Sequence, residues 1–259
     1  MPHSITAAER RQRDRQRLRA LSVGAVYETR LVKARRQEVA RVLKLARSYD
    51  DPEMVAPTIS GYLNEGKYLG KWWQGLYIAA GIPAAQATAK SLRQAKASAE
   101  EDVWKRTLRD YAARRAGANI TLVTGTLKET LVNIVRELLQ EELTIGVEAL
   151  TSAVYKRYKG QFERWMARRI AQTETMIGMA EAGQAAADTL DVKYTKQWCI
   201  SGLGNTRETH EVMDGIEVEQ DEPFVLDGGV QMMYPHDLSF DPPASEIINC
   251  ACDCIRRAK

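Results

Sequence analysis

For 198 residues the sequence offers no cysteine; its four thiols, Cys199, Cys250, Cys252 and Cys254, all lie towards the C-terminal end. Histidine is scarcer still, with three in the chain, of which His210 and His236 fall in the same region. No apolar run reaches the ~18 residues of a membrane span, so none is expected. The N-terminal arginines are not followed by an apolar stretch, which excludes a secretory signal. A chain assembled inside a cell is therefore expected, where clustered thiols ligate metal or stay free sooner than they cross-link. Phosphate-cradling glycine loops, a Ser-His-Asp signature and a C-x-x-C pair are all missing, and Gly202-Leu203-Gly204 alone reads as a loop. These absences lead to the expectation of a chain with no enzymatic role.

What is present is unevenly spread. The formal charge of +3 conceals thirteen Lys/Arg against three acids (Asp14, Glu28, Glu38) between Arg10 and Arg47. Such a block suits contact with phosphates or an acidic protein surface, or a solvated helix face. Its arginines Arg10, Arg11, Arg13, Arg15, Arg17, Arg19, Arg35 and Arg36 are the candidate DNA- or portal-contacting residues. Helix formers dominate up to about residue 190, whereas Gly and Pro crowd the remainder with short β-prone runs between them. The reading is α+β: a basic helical arm over 1–50, a helical body over 51–190 and a loop-rich antiparallel module over 191–259. Leu127, Leu131, Ile134, Val135, Leu138 and Leu139 share a helical face, with Thr126 and Glu129 as a capping box. Trp73, Leu76, Tyr77 and Ala80 form another buried face, Pro83 opens a further helix, and Gly117 ends it. Residues 161–188 are expected to be the longest regular element, their small side chains admitting a neighbouring helix. Strands are expected over 192–200, 216–218, 224–226 and 230–234.

The ending Asn249-Cys250-Ala251-Cys252-Asp253-Cys254 carries the main chemical signal. Alternate residues of an extended strand share a face, so the three thiols can line one side. A C-x-C pair can hold one zinc ion, given two further ligands. The candidate set is His210, Cys250, Cys252 and Cys199, with Cys254 or His236 as the alternative fourth ligand; free thiols or a Cys199 disulfide are the bland readings. Zinc held by several thiolates is closed and structural, which argues against a metal-assisted nuclease.

Ordered motifs from Arg169 onward resemble the phage head-morphogenesis family, the Mu F-like minor head proteins. Arg169-Ile-Ala-Gln-Thr-Glu174 is followed by Trp198, then Asn205-Thr-Arg-Glu-Thr-His210, Met213-Asp214-Gly215, Asp221-Glu-Pro-Phe224, Tyr234-Pro-His-Asp237 and Glu246-Ile-Ile-Asn-Cys-Ala-Cys252. Within these, Arg169, Thr173, Glu174, Trp198, Arg207, Asp214, Gly215, Pro235 and Asn249 are the motif positions expected to be structural. Weaker similarity reaches upstream through Ala118-Asn119-Ile120, Thr124-Gly125-Thr126 and Thr144-Ile145-Gly146, so residues 60–256 are covered and the basic arm is not. The chain departs from the pattern at Gln172 (usually Arg), Asn205 (often Asp), His236 (Gly) and Ala251 (Arg), and Cys254 is an extra thiol. The resemblance implies a few copies per particle near the portal and head interior, acting in head morphogenesis and in packaging or ejection of double-stranded DNA. It implies residence in the virion, and in the host cytoplasm during assembly. Some members of the family carry toxin domains after the shared region; this sequence stops after its cysteine motif, so none is expected here. The rival readings are a zinc-dependent nuclease or effector enzyme and a DNA-binding regulator.

Overall fold

A computed structural model describes residues 4–92, 100–190, 192–201 and 206–259. The loop Gly202-Leu203-Gly204 and Asn205 therefore lie outside the described residues. The chain is an α+β protein, as its composition predicts: α1 (Ala7–Arg47), α2 (Val55–Tyr62), α3 (Gly66–Ser91), α4 (Glu101–Glu141), α5 (Val147–Arg157) and α6 (Glu163–Thr189) precede a small β region. That region holds β1 (Tyr194–Cys199), α7 (Glu208–Glu211), β2 (Glu217–Glu219), β3 (Phe224–Val225), β4 (Gln231–Met232), α8 (Ala244–Ile247) and β5 (Asp253–Ala258). Among the described residues no helix is long and apolar enough to cross a membrane.

Local chemistry explains the helix limits. Thr6 Oγ1 accepts from Glu9 N at 3.2 Å and Thr6 N donates to Glu9 Oε2 at 2.9 Å, a capping box that starts α1. Asp51 Oδ1 accepts from Glu53 N at 2.9 Å and opens the turn before α2. Several expected breaks do not occur. Gly117 lies inside α4, as does Thr126, whose hydroxyl bonds back to Leu122 O instead of capping. Pro83 sits inside α3 at an exposed position, where water can serve the carbonyl that its missing N–H releases. Between α5 and α6, Gly160 lies in a π-helical turn over Tyr158–Phe162. The longest elements are α1 and α4, 41 residues each, rather than the 27-residue α6.

The chain forms two compact units, each discontinuous in sequence, so neither coincides with the segments 1–50, 51–190 and 191–259. The first comprises residues 1–25, 74–111 and 171–259, the second residues 26–73 and 112–170. In the second, Val39, Val42 and Leu43 of α1 pack with Leu127, Leu131, Ile134 and Val135 of α4 and with Leu150 and Val154 of α5. Arg35 is fully buried there and pairs bidentately with Glu65 at 2.7 and 3.1 Å.

In the first unit, α3 and α6 approach through small residues. A methyl group on Gly178 would meet Tyr77 Cδ1 at 2.9 Å, and one on Gly81 would meet Ala182 Cβ at 2.9 Å. The expectation of tight packing along α6 is met. The β region belongs wholly to this unit. Its sheet has the order β2-β1-β5, all antiparallel, with Trp198 opposite Cys254 and Cys199 opposite Asp253. The fifth strand was not among those expected, because its residues Arg256 and Arg257 mask the apolar alternation; Arg256 is buried all the same.

Candidate metal centre

The centre is assembled from three pieces of chain. Trp198 of β1 is buried and meets the His210 ring edge-on, with 5.2 Å between centroids. Phe224 packs on its other side at 5.3 Å. The short α7 brings His210 to this point, and the segment between α8 and β5 brings Cys250 and Cys252. His210 Nδ1 lies 3.5 Å from Cys250 Sγ and 3.4 Å from Cys252 Sγ. The three ligand atoms fall within 4.8 Å of one another, and all three residues are buried: the group could hold a metal ion.

Its surroundings fit that use. On the far side of the imidazole, His210 Nε2 lies 2.9 Å from Glu246 Oε2, which also accepts from Thr209 Oγ1 at 3.0 Å. A carboxylate on the outer ring nitrogen leaves Nδ1 turned to the thiols and is the usual outer partner of a metal-bound histidine. Cys250 is held well below the ordinary thiol pKa because it accepts a hydrogen bond from Cys252, with His236 and His210 adding to the effect against burial. Cys252 is pushed up by the same shared hydrogen bond and by burial. Cys250 is thus the thiol that gives up its proton more readily, and the thiolate is the form that ligates. A cavity of about 140 Å³ opens onto Cys250, Cys252 and His210, with Arg207, Gln172 and Met176 in its walls, and supplies an access route.

Two proposed ligands are not brought in. Cys199 points to the face of the sheet opposite Trp198, as strand alternation requires. Its thiol contacts Ile200 O at 3.6 Å, and burial raises its pKa against the opposing charge of Arg17. Cys254 stands opposite Trp198, its thiol near Ile255 O at 3.9 Å, and it too is raised by burial. Cys199 and Cys254 thus stand outside the group that could hold an ion, and all four cysteines are unbridged.

The remaining motif residues knit this module together. Arg207 donates to Ile248 O, joining the α7 loop to the segment that carries the thiols. Asp214 Oδ1 accepts from Ile200 N at 3.0 Å, and Gly215, at φ +84°, returns its N–H to Trp198 O at 2.9 Å. Thr173 Oγ1 accepts from Asn249 N at 3.2 Å, and Glu174 accepts from Tyr77 on α3. Pro235 is buried in a turn closed by Asp237 N donating to Tyr234 O at 3.0 Å. Arg169 takes no part; its guanidinium lies over the Trp165 ring at 5.4 Å in the other unit.

The arginines of α1 divide into two sets. Arg10 pairs with Asp214 at 2.9 Å, Arg13 with Asp253 at 3.4 Å, and Arg17, 1% exposed, donates to Cys199 O at 2.9 Å. These three fasten α1 to the β region, and sequence held no sign of partners some 180 to 240 residues away. Arg35 and Arg36 are likewise consumed by Glu65 and Glu163. Arg11, Arg15 and Arg19 stay exposed, one helical turn apart.

No model of a known protein family matches the chain, and no solved structure matches it. A curated relative does: the chain is 31% identical over 121 residues to a protein of Enterococcus faecalis (strain ATCC 700802 / V583) named NAD(+)--arginine ADP-ribosyltransferase EFV. The match covers 44% of this chain and 21% of that protein, so the chain spans about a fifth of its relative's length. The expectation of a chain with no enzymatic role is withdrawn on this finding, since over that stretch the chain is similar to an enzyme.

Proposed function

We propose that the chain is a minor head protein of a tailed phage, bound near the portal and head interior and acting in head morphogenesis and DNA packaging or ejection. The observation that supports this reading is the convergence of the family-like motifs. Thr173, Trp198, Arg207, His210, Asp214, Glu246, Asn249, Cys250 and Cys252 come from five separate stretches and interlock around one centre. In this reading one zinc ion on His210, Cys250 and Cys252 staples the module, since paired thiolates with imidazole select zinc over hard cations. The exposed Arg11, Arg15 and Arg19 meet the phosphates of packaged double-stranded DNA, while the portal holds the rest of the chain. Residence is the virion, after assembly in the host cytoplasm. The reading is tested by tagging the protein in a producing phage: it is expected in purified heads, protected from external protease. A tag found only in the soluble lysate removes the reading.

A second reading rests on the 121 residues shared with the Enterococcus protein: the chain itself transfers ADP-ribose to arginine. In that reaction the glycosidic bond to nicotinamide breaks and a bond to a guanidinium nitrogen forms. Nicotinamide release from NAD(+) that depends on added free arginine supports it; release no faster than in the protein-free blank ends it.

A further inference from the structure

Three protein ligands leave one position of a tetrahedral ion to be filled. His236 is a buried imidazole with no other employment. It is 2% exposed, and neither Nδ1 nor Nε2 makes a hydrogen bond. A fully buried ring with two unserved nitrogens is costly, and native interiors rarely keep one without a partner or an ion. Yet the chain holds it in place deliberately. His236 sits at φ +74°, a left-handed conformation that disfavours any side chain. The turn around it is locked: Asp237 accepts from Met233 N at 2.8 Å and from Ser239 N at 2.9 Å. The ring so delivered adjoins the Cys250 thiol; it stands outside the group whose ligand atoms fall within 4.8 Å of one another, so a bound ion has to draw it in. By contrast, Cys199 faces away from Trp198, Cys254 lies outside the group formed by His210, Cys250 and Cys252, and besides His210 and His236 there is no further histidine among the described residues.

We propose that His236 is the fourth ligand, closing a Cys2His2 centre with His210, Cys250 and Cys252. The inference rests on the zinc staple proposed above and goes further. A closed set leaves no position for water, so the ion is structural and the adjoining cavity is its loading route, not a substrate site. Glu246 is then an outer partner that orients His210 rather than a ligand.

The test uses the full chain, purified and loaded with Co(II), whose visible bands report coordination number. Wild type is expected to bind one Co(II) per chain with the intense bands of a four-coordinate ion, and one Zn(II) in its place that erases them. His236→Ala is expected to weaken Zn(II) binding by roughly 100-fold or more, beyond the 10–100-fold typical of outer-partner losses, and to dim the Co(II) bands as water enters. His236→Cys keeps a fourth donor: it is expected to restore four-coordinate bands and to strengthen sulfur-to-cobalt charge transfer, which a packing role for His236 does not predict. Far-UV circular dichroism of each variant checks that the chain is folded. If wild type binds one metal and His236→Ala leaves affinity and spectrum unchanged, the closure by His236 is wrong while the three-ligand staple stands. If wild type binds no metal at all, both fall.

Discussion

At the residue scale the metal-ligand types were legible because Cys and His are rare here and sit together. What could not be read was which thiol faces which way. Cys199 was as plausible a ligand as His236 until the register placed it opposite Asp253, on the other face from Trp198. Nor does composition disclose that His236 occupies a glycine-like conformation. Replacing both Cys250 and Cys252 by Ser is expected to abolish binding of one Zn(II) and to open residues 192–259 to protease, with helical content largely kept. Unchanged protease resistance would sink the staple. Arg17 gives a second residue-level expectation. It and Arg13 draw the Asp253 carboxyl below its ordinary range, overcoming burial, which acts the other way. A carboxylate depressed in the folded state adds stability above its unfolded value near 4 and loses it as pH falls through the lower folded one. Arg17→Met leaves Asp253 with Arg13 and Arg256 and removes the bonds to Asp14 and to the buried Cys199 carbonyl. It should cost about 1–3 kcal/mol in urea unfolding at neutral pH, as losing a charged partner of a buried polar group does. Its deficit should shrink as the pH drops below 4. A deficit constant with pH would mean that Arg17 acts by packing alone.

Among the elements, the helical arm expected over 1–50 contains α1 (Ala7–Arg47), a run with one glycine, Gly24, and no proline. Its length hid its division of labour. A net positive block describes Arg11, Arg13, Arg15, Arg17 and Arg19 alike, whereas the structure buries Arg13 and Arg17 and exposes the other three. Changing Arg11, Arg15 and Arg19 together to Ala should leave thermal stability within about 0.5 kcal/mol, as exposed sites do. It should lower the slope of log affinity for duplex DNA against log salt by about 2.7, at about 0.9 per phosphate contact. An unaltered slope removes these residues from DNA contact. Helix ends misread at Gly117, Thr126 and Pro83 share one cause: residues that favour caps and breaks were overridden by tertiary packing of the faces around them. The stripe of small residues on α6 was legible, and it has a sharp consequence. Gly178→Ala pushes a methyl group towards Tyr77 Cδ1, at 2.9 Å, and its backbone Cα, at 3.3 Å. Overpacking of about 1–3 kcal/mol is expected in equilibrium unfolding, while Gly125→Ala, with open space around it, is expected to be neutral or mildly stabilising.

For the whole molecule, the shift in composition near residue 190 marks the change from helix to sheet, not the edge of a compact unit. The two units are threaded by the same long helices: α1, α3, α4 and α6 each contribute to both. A boundary that cuts helices in mid-course leaves no Gly, Pro or linker signature to read. The β region folds against α1 and α6 of its own unit, through Arg10, Arg13, Arg17 and Asn249, so the self-contained module that the composition suggested is part of a larger unit. The central claim is that this chain serves in the phage head beside the portal, and cross-linking within purified particles tests it most directly. Lysine-reactive cross-linking followed by mass spectrometry is expected to join this chain to the portal protein in intact heads. Cross-links only to the outer shell or tail, with none to the portal, would contradict it.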